Sequence, residues 1–291
     1  MKPRVCLLTV YDSQYQNYAQ ISLLQMGRFA DAHDYEFRAI QRDDCERKGG
    51  WIKIEPIMAT LVAQFDYLLW MDIDALVVRK DVDIREELSQ GADLQMVWHG
   101  ADTCRLEVDS FIPHFNSGVM LIRNTPWARQ FFARVWETGP VHHLWNDQAT
   151  ILHLLGFDGL LGLGSDEPKN PGRNHIARLD SRWNSIVGVA VAMDPIVHHY
   201  AGMGSSARLR LMQADQRTLK VREAADPEVR EAGSSGNGAP MPFGRRLRPG
   251  VAGSNVWDFK TPLPHTLIAS AAPQTIPKLD FVQNSSGIWI C

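Results

Sequence analysis

One segment constrains the fold of this chain more than any other. Residues 65–78 read F-D-Y-L-L-W-M-D-I-D-A-L-V-V, an apolar run that meets two carboxylates and then becomes apolar again. Such a run predicts a buried strand, and acids at its end are costly unless a cation or hydrogen-bond donors satisfy them. Because residues i and i+2 of an extended chain share a face, we expect Asp72 and Asp74 to point the same way. Their oxygens suit Mg²⁺ or Mn²⁺, although a bare D-x-D also occurs in solvated turns.

The sequence up to residue 224 alternates short apolar runs with longer helical patterns, which is typical of an α/β domain. We expect strands at residues 5–10, 35–40, 67–71, 94–98 and 118–122, and helices at 18–33, 52–64, 127–137, 147–155 and 206–224. The composition then changes, because Gly, Pro and Ser become frequent. We therefore expect one large domain at 1–224, a linker at 225–255 and a small C-terminal appendage of unknown role at 256–291.

Composition and charge exclude several classes of protein. The 291 residues carry 30 Lys and Arg against 33 Asp and Glu, a formal net charge of −3, so we expect no basic surface for nucleic acid or an anionic membrane. The four cysteines include no C-x-x-C pair, which argues against a disulfide framework or a zinc knuckle. No run reaches the about 20 apolar residues of a transmembrane helix. As given, the chain is expected to be cytoplasmic, and a Golgi-lumen location would require that an N-terminal anchor had been removed.

Four polar motifs accompany the acidic pair, and their order carries more information than any one of them. They are W-I-K at 51–53, F-N-S-G at 115–118, N-D-Q at 146–148 and H-H-Y-A-G at 198–202. Taken singly, each has a plain alternative, since an asparagine can shape a turn, an acid favours a helix N-terminus, and a histidine can be a core residue. We expect Asn116 to lie in a turn just before a buried strand. We expect Lys53 to open a helix and to hold the acidic pair or a phosphate.

In this order and spacing the motifs resemble the retaining glycosyltransferases of the GT-A fold. The likeness spans residues 4–202 and is nearest to the galactosyl/mannosyl/xylosyltransferase family of yeast Golgi and plant xyloglucan enzymes, with similarity to the glycogenin-like family. It implies an α/β, Rossmann-like nucleotide-diphospho-sugar transferase fold for the domain at 1–224. It also implies metal-dependent, retaining transfer of a hexose or pentose from a nucleotide-sugar, expected to be a UDP-sugar, to a glycan or other hydroxyl acceptor.

The resemblance implies a metal site and a nucleotide site. Asp72 and Asp74 match the family's D-x-D, which binds a divalent ion, usually Mn²⁺, and contacts the nucleotide ribose. His199 matches the distal third metal ligand, with His198 as the reserve choice. The residues that match the end of the first strand, where the nucleotide base is held, are Thr9, Val10 and Tyr11.

The resemblance also implies roles at the donor sugar. Lys53 matches the basic residue that orients the D-x-D and the sugar, and Asn116 matches an amide that reaches the sugar. Asp147 and Gln148 match the pair that faces the anomeric carbon. Independently of the resemblance, polar residues in the loops after residue 98 and before residue 147 either line an acceptor site or are solvated loop residues, and these are His99, Asp102, His114, His142 and His143.

Two positions depart from the family pattern. Asn146 stands where the plant and yeast enzymes tend to have an acid, which leaves open whether Asp147 or Gln148 assists the reaction. The lysine that commonly follows H-x-x-G and grips the diphosphate is absent, so Arg208 or backbone N–H groups around Gly204 are the candidates for that role.

Two rival hypotheses stay open at this point. A catalytically weak or inactive protein that binds sugar nucleotides or glycans is favoured by both departures. A phosphatase of the haloacid dehalogenase type also places D-x-D after a buried strand. Its pair normally lies near the N-terminus, however, and its fifth position is usually Thr or Val, where this chain has Leu76.

Overall fold

The computed structural model describes residues 2–100, 105–106, 113–142 and 145–225. The expected appendage, and the expected linker beyond its first residue, therefore lie outside the described residues, as do the acceptor-side candidates Asp102 and His143. Within the described part of the chain, no helix combines the length and the apolar character needed to cross a membrane.

The described residues contain both strands and helices from end to end, as expected for an α/β domain. The strands are β1 (Val5–Tyr11), β2 (Glu36–Gln41), β3 (Tyr67–Met71), β4 (Ala75–Val77), β5 (Leu94–His99), β6 (Arg105–Leu106), β7 (His114–Arg123), β8 (Ile176–Leu179), β9 (Ser185–Ile186), β10 (Ala190–Val191) and β11 (Val197–His199). The helices are α1 (Gln16–His33), α2 (Ile54–Leu61), α3 (Pro126–Thr138), α4 (Asn146–Leu154), α5 (Asp158–Leu161) and α6 (Ser205–Ala225). All five strands and all five helices predicted from the sequence are present, and their ends differ by a few residues.

The described strands form two sheets. The larger has six strands in the order β2-β1-β3-β7-β5-β8, with β1 parallel to β2 and β3, and β7 antiparallel to β3 and β5. The smaller has the order β4-β11-β9-β10-β6. Since β3 belongs to the first sheet and β4 to the second, the short turn between them is the point where the chain passes from one sheet to the other.

Strand β3 is buried on both faces, which explains its unbroken apolar sequence. Leu68 and Trp70 belong to the core layer that α2 and α3 cover. Leu69 and Met71 belong to the opposite layer, which α1 and the second sheet cover. Burial of each such side chain contributes roughly 1.5–3 kcal/mol, so the register of β3 is fixed firmly, and the polar residues that follow it are fixed with it.

The acidic pair does not lie on an extended strand, and that part of our expectation was wrong. β3 ends at Met71 and β4 begins at Ala75, so Asp72 and Asp74 lie in the turn between the sheets. The N–H of Asp72 donates to the carbonyl of Gly118 at 2.8 Å, and the N–H of Ala75 donates to the carbonyl of Asp72 at 2.9 Å. These hydrogen bonds form a tight turn. The turn, and not the alternation of side chains along a strand, brings the two carboxylates close together.

Two further expectations need correction. Asn116 lies inside β7, which begins at His114, and not in a turn before the strand. The pairing of β7 with β5 shifts between Met96 and Val97, and such an irregularity re-aims local side chains. The predicted helix at 52–64 is a 3₁₀ turn at Gly49–Lys53 followed by α2, so Lys53 ends that turn and does not begin the α-helix.

Candidate functional site

Three side chains at the junction of the sheets form a candidate metal centre. Asp72 and Asp74 in the turn and His199 at the end of β11 each offer one ligand atom, and these atoms lie within 4.8 Å of one another. His199 Nε2 is 3.5 Å from Asp74 Oδ1 and 3.8 Å from Asp72 Oδ2. Two carboxylates and an imidazole form a donor set that Mn²⁺ and Mg²⁺ accept, so these residues fit a divalent ion.

The orientation of His199 is fixed by a second amide. Asn184 Nδ2 donates to Asn116 Oδ1 at 2.9 Å, so the Asn184 oxygen faces His199 and accepts from its Nδ1, also at 2.9 Å. Nε2 is thereby the ring nitrogen that faces the two acids. Hydrogen bonds of this kind orient histidine ligands at metal sites. No pattern in the sequence points to Asn184, since it ends a 3₁₀ turn remote from every motif.

His199 also requires a glycine beside it. A Cβ atom on Gly118 would lie 2.1 Å from His199 Cε1, which no side chain can tolerate. The neighbouring His198 bonds to Asp215 on α6 instead of facing the acids, because adjacent residues of a strand point to opposite faces. The structure thus places His199, and not the reserve choice His198, at the acidic pair.

Lys53 joins the acidic pair to the start of α4. Its Nζ is 3.0 Å from Asp72 Oδ1 and 3.1 Å from Asp147 Oδ2, and the side chain is only 2% exposed. It also donates to the carbonyl of Ser117 at 3.2 Å. Burial alone would lower the pKa of Lys53, but the carboxylates of Asp147 and Asp72 outweigh it and raise that pKa above its usual range. Lys53 is therefore a permanent positive charge between two acids.

Asp147 and Gln148 lie in the first turn of α4, and Ser117 of β7 holds both. The Ser117 hydroxyl donates to Asp147 Oδ2 at 3.0 Å, and the Ser117 N–H donates to Gln148 Oε1 at 3.0 Å. Burial raises the pKa of Asp147, while the charge of Lys53 opposes that rise. Helix α4 packs closely against the 3₁₀ turn at Gly49–Lys53, since a Cβ on Gly50 would lie 1.9 Å from Asp147 Oδ1. This glycine was not singled out from the sequence.

Arg208, on α6, reaches the acidic pair from the opposite side. Its Nη1 lies 3.0 Å from Asp74 Oδ2, and its Nη2 donates to the carbonyl of Met203 at 3.0 Å. Burial alone would raise the pKa of Asp74, but His199 and the Arg208 guanidinium outweigh it and hold that pKa below its usual range. The guanidinium also lies 5.9 Å from the ring centroid of Tyr15.

One cavity of about 290 Å³ is lined by the acidic pair and the groups that contact it, namely Asp72, Asp74, His199, Lys53, Ser117, Asp147, Gln148 and Arg208. Val10 and Tyr11, at the end of β1, line it, and their contact with the nucleotide base stays a prediction. Thr9 does not, because its side chain is completely buried and it is absent from the described residues that line the cavity. Asp12 and Tyr15, from the segment that follows β1, line the cavity as well and were missed.

Residues 1–158 match the galactosyl transferase GMA12/MNN10 family. The chain belongs to that family. The match covers more than half of the 291 residues and includes the acidic pair, Lys53, Asn116, Asp147 and Gln148. It argues against the phosphatase hypothesis.

A sequence relative agrees with the family, and a solved structure agrees with the fold. The chain is 35% identical over 92 residues to "Probable glycosyltransferase 7" of Oryza sativa, in both the indica and japonica subspecies. That stretch is 31% of this chain and 20% of the rice protein. A solved glycosyltransferase involved in the glycosylation of the major capsid of PBCV-1 superposes with a TM-score of 0.55 at 17% identity, covering 73% of this chain and 100% of that one. The expected GT-A fold is confirmed.

Two of the residues considered as acceptor-side candidates lie in positions that differ from our expectation. His99 and His114 are fully buried and end two neighbouring strands, so neither belongs to a solvated loop. Burial holds the pKa of His99 well below its usual range, and the charges of nearby histidines add to that effect. Trp145, which packs on His114 with 4.7 Å between ring centroids, lines the cavity in front of them. The ring of His142 lies edge-on to that of Trp145, with 6.3 Å between the ring centroids.

Proposed function

We propose that this chain is a metal-dependent retaining glycosyltransferase that moves a hexose or pentose from a nucleotide-sugar, most simply a UDP-sugar, to a hydroxyl of a glycan or other acceptor. The observation that carries the proposal is the convergence of two groups in one cavity. The first is the donor set of Asp72, Asp74 and His199, and the second is the buried pair of Lys53 with Asp147. Membership of a galactosyl transferase family supports the same chemistry.

Donor binding follows from the charges on either side of the acids. A cation held by Asp72, Asp74 and His199 would act as a Lewis acid that stabilises the charge of the departing diphosphate. Arg208 lies against Asp74 and provides a guanidinium that can turn from that carboxylate to a diphosphate oxygen. Val10 and Tyr11 line the same cavity and are our candidates for contact with the base.

The sugar end of the cavity has groups suited to a developing positive charge. As the bond to the leaving group breaks, the anomeric carbon becomes oxocarbenium-like, and a carboxylate or amide oxygen nearby stabilises it. Asp147 and Gln148 are held by Ser117 before any substrate arrives, so little reorganisation is needed. In a retaining transfer the acceptor hydroxyl enters on the side of the leaving group, whose oxygen can take its proton. No strong protein base is needed for that route.

A second candidate is a sugar-nucleotide-binding protein with weak or no catalysis. Asn146 favours it, because this residue stands in place of an acid directly before Asp147, and the absence of a lysine after H-x-x-G favours it as well. The two candidates share the same site and differ only in turnover.

One pair of measurements tests both candidates. Isothermal titration of UDP with and without Mn²⁺ tests the site, and slow hydrolysis of a panel of UDP- and GDP-sugars tests the chemistry and names the donor. We expect Mn²⁺-dependent UDP binding and hydrolysis of at least one UDP-sugar, with retention seen by NMR of the first-formed anomer. Binding without hydrolysis would support the second candidate. Absence of Mn²⁺-dependent binding to every nucleotide tested would refute both.

A further inference from the structure

Helix α6, which carries Arg208, is fastened to the strand that carries His199. Asp215 Oδ2 accepts two hydrogen bonds, from His198 Nδ1 at 2.7 Å and from the Tyr200 hydroxyl at 2.6 Å. The two donors are the residues on either side of His199. One carboxylate oxygen of the helix is thus held by both neighbours of the candidate metal ligand.

The positions along the strand and the helix connect this attachment to the site. On β11, His198 and His199 point to opposite faces, so the strand presents the metal ligand on one face and binds Asp215 on the other. On α6, Arg208 and Asp215 are seven residues apart, about two turns, and so lie on the same side of the helix. Asp215 therefore sets where that side of α6 lies relative to the acidic pair.

Apolar contacts alone would hold α6 less specifically. Met212 and Leu219 are its buried residues, and they pack in a cluster with Tyr18, Leu76 and Tyr200. Apolar contacts are not directional, and they tolerate small shifts of the helix along its axis. Two short hydrogen bonds to one oxygen are directional, and charged hydrogen bonds are stronger than neutral ones. Arg208 has to lie within reach of Asp74 and of a diphosphate, so a shift of about 1 Å would matter for donor binding.

We propose that Asp215 is a positioning residue for the donor diphosphate, acting through Arg208. This inference rests on the function proposed above and assigns a task to a residue outside the cavity. Replacing Asp215 leaves every ligand of the metal centre in place and loosens the helix that carries the guanidinium. Affinity for the diphosphate should fall, and affinity for the metal alone should not.

The test is a double-mutant cycle measured by isothermal titration of UDP at saturating Mn²⁺. The proteins are the unmodified chain, Asp215→Ala, Arg208→Ala and the double variant. We expect Asp215→Ala to weaken UDP binding roughly tenfold, as the loss of charged hydrogen bonds implies. In the Arg208→Ala background the same change should cost less than about twofold, since coupled residues are not additive. Asp31→Ala, which removes an exposed acid from α1, is the matched control and should leave binding unchanged.

Further measurements separate positioning from a general loss of structure. Titration of Mn²⁺ alone should show no loss of affinity for Asp215→Ala, and a gain would agree with displacement of Arg208 from Asp74. Tyr200→Phe removes one of the two hydrogen bonds with little change of volume and should give an intermediate loss of UDP affinity. If Asp215→Ala does not fold, Asp215→Asn and Tyr200→Phe complete the cycle with Arg208→Ala.

The outcomes are distinct. Suppose first that the unmodified chain binds UDP. If Asp215→Ala then binds UDP equally well, or if it lowers UDP affinity by the same factor with and without Arg208, the positioning role is overturned while the proposed function stands. A matching loss of affinity for Mn²⁺ alone would overturn it as well, because Asp215 would then support His199 and not Arg208. If the unmodified chain binds no nucleotide in the presence of Mn²⁺, the proposed function fails and this inference fails with it.

Discussion

Lys53 and Asp147 form a buried ion pair, with 3.1 Å between Nζ and Oδ2. The same ammonium lies 3.0 Å from Asp72, so the Lys53 side chain joins the candidate metal site to the carboxylate of Asp147, one of the two catalytic candidates. Two carboxylates this close would repel each other in a buried site. Lys53 removes that repulsion and fixes the spacing between the two ends of the cavity. A change at Lys53 should therefore affect both stability and function.

Substitution of Lys53 by methionine tests this role, because Met keeps the length of the side chain and removes the charge. We expect the free energy of unfolding to fall by about 3–5 kcal/mol, since the change leaves buried acids without their partner. Chemical denaturation followed by fluorescence measures it. The control is Lys220→Met on the exposed side of α6, expected within about 0.5 kcal/mol of the unmodified chain. A loss below 1 kcal/mol for Lys53→Met would contradict the pairing.

The contact of Lys53 with Asp72 could be anticipated from the sequence, but its contact with Asp147 could not. The continuous apolar run of β3 fixes where the strand ends, so the acids that follow it could be located at once. The basic residue of W-I-K was expected to face them, and its distance of 3.0 Å from Asp72 agrees. Motif order thus located Lys53, Asp72 and Asp147 in one site.

What the sequence could not provide was the packing between distant segments. Asn184 orients His199, and Gly50 makes room for Asp147, yet neither belongs to a recognisable pattern because each role exists only after the chain has folded. Thr9 shows the opposite error. A motif match placed it at the nucleotide, but its side chain is buried in the sheet. The turn at Asp72 and Asp74 likewise depends on hydrogen bonds with Gly118 of β7 and with Tyr200, the residue that follows β11.

The pair at the start of α4 should separate binding from turnover. Asp147→Asn keeps the shape of the side chain and removes its charge, and Gln148→Ala removes the amide. We expect both to bind UDP and Mn²⁺ nearly as well as the unmodified chain, and at least one to lower turnover roughly 10²–10³-fold, as loss of a preorganised electrostatic group does. Donor hydrolysis under single-turnover conditions measures it. Unchanged rates in both variants would assign catalysis to another group.

Arg208 should affect the metal and the nucleotide in opposite directions. Its guanidinium lies 3.0 Å from Asp74 Oδ2, where it competes with a cation for that oxygen and repels it. Arg208→Ala should therefore increase the affinity for Mn²⁺ alone, while it decreases the affinity for UDP at saturating Mn²⁺ because a diphosphate contact is lost. Separate isothermal titrations of Mn²⁺ and of UDP measure the direction of each change in affinity. Arg217→Ala, an exposed arginine on the same helix, is the control for net charge. If Arg208→Ala changed the affinities for Mn²⁺ and for UDP in the same direction, the proposal that Arg208 turns from Asp74 to the diphosphate would be refuted.

Gly118 provides the most localised test of the metal centre. A Cβ at this position would lie 2.1 Å from His199 Cε1 and 2.8 Å from Nε2, so Gly118→Ala must push the imidazole away from the acids. We expect Mn²⁺ affinity to fall roughly 10–100-fold, the usual cost of disturbing the residues that orient a metal ligand. Titration of Mn²⁺ by calorimetry or by electron paramagnetic resonance measures it.

A matched substitution distinguishes the steric effect from the loss of a glycine. In Gly27→Ala on α1, the new Cβ would meet only the Phe37 ring at 3.6 Å, an ordinary contact, and an alanine also favours the helix. That variant should bind Mn²⁺ like the unmodified chain and unfold at the same or a higher temperature. If Gly118→Ala also kept full Mn²⁺ affinity, His199 would not be a ligand, and the third donor would have to come from elsewhere.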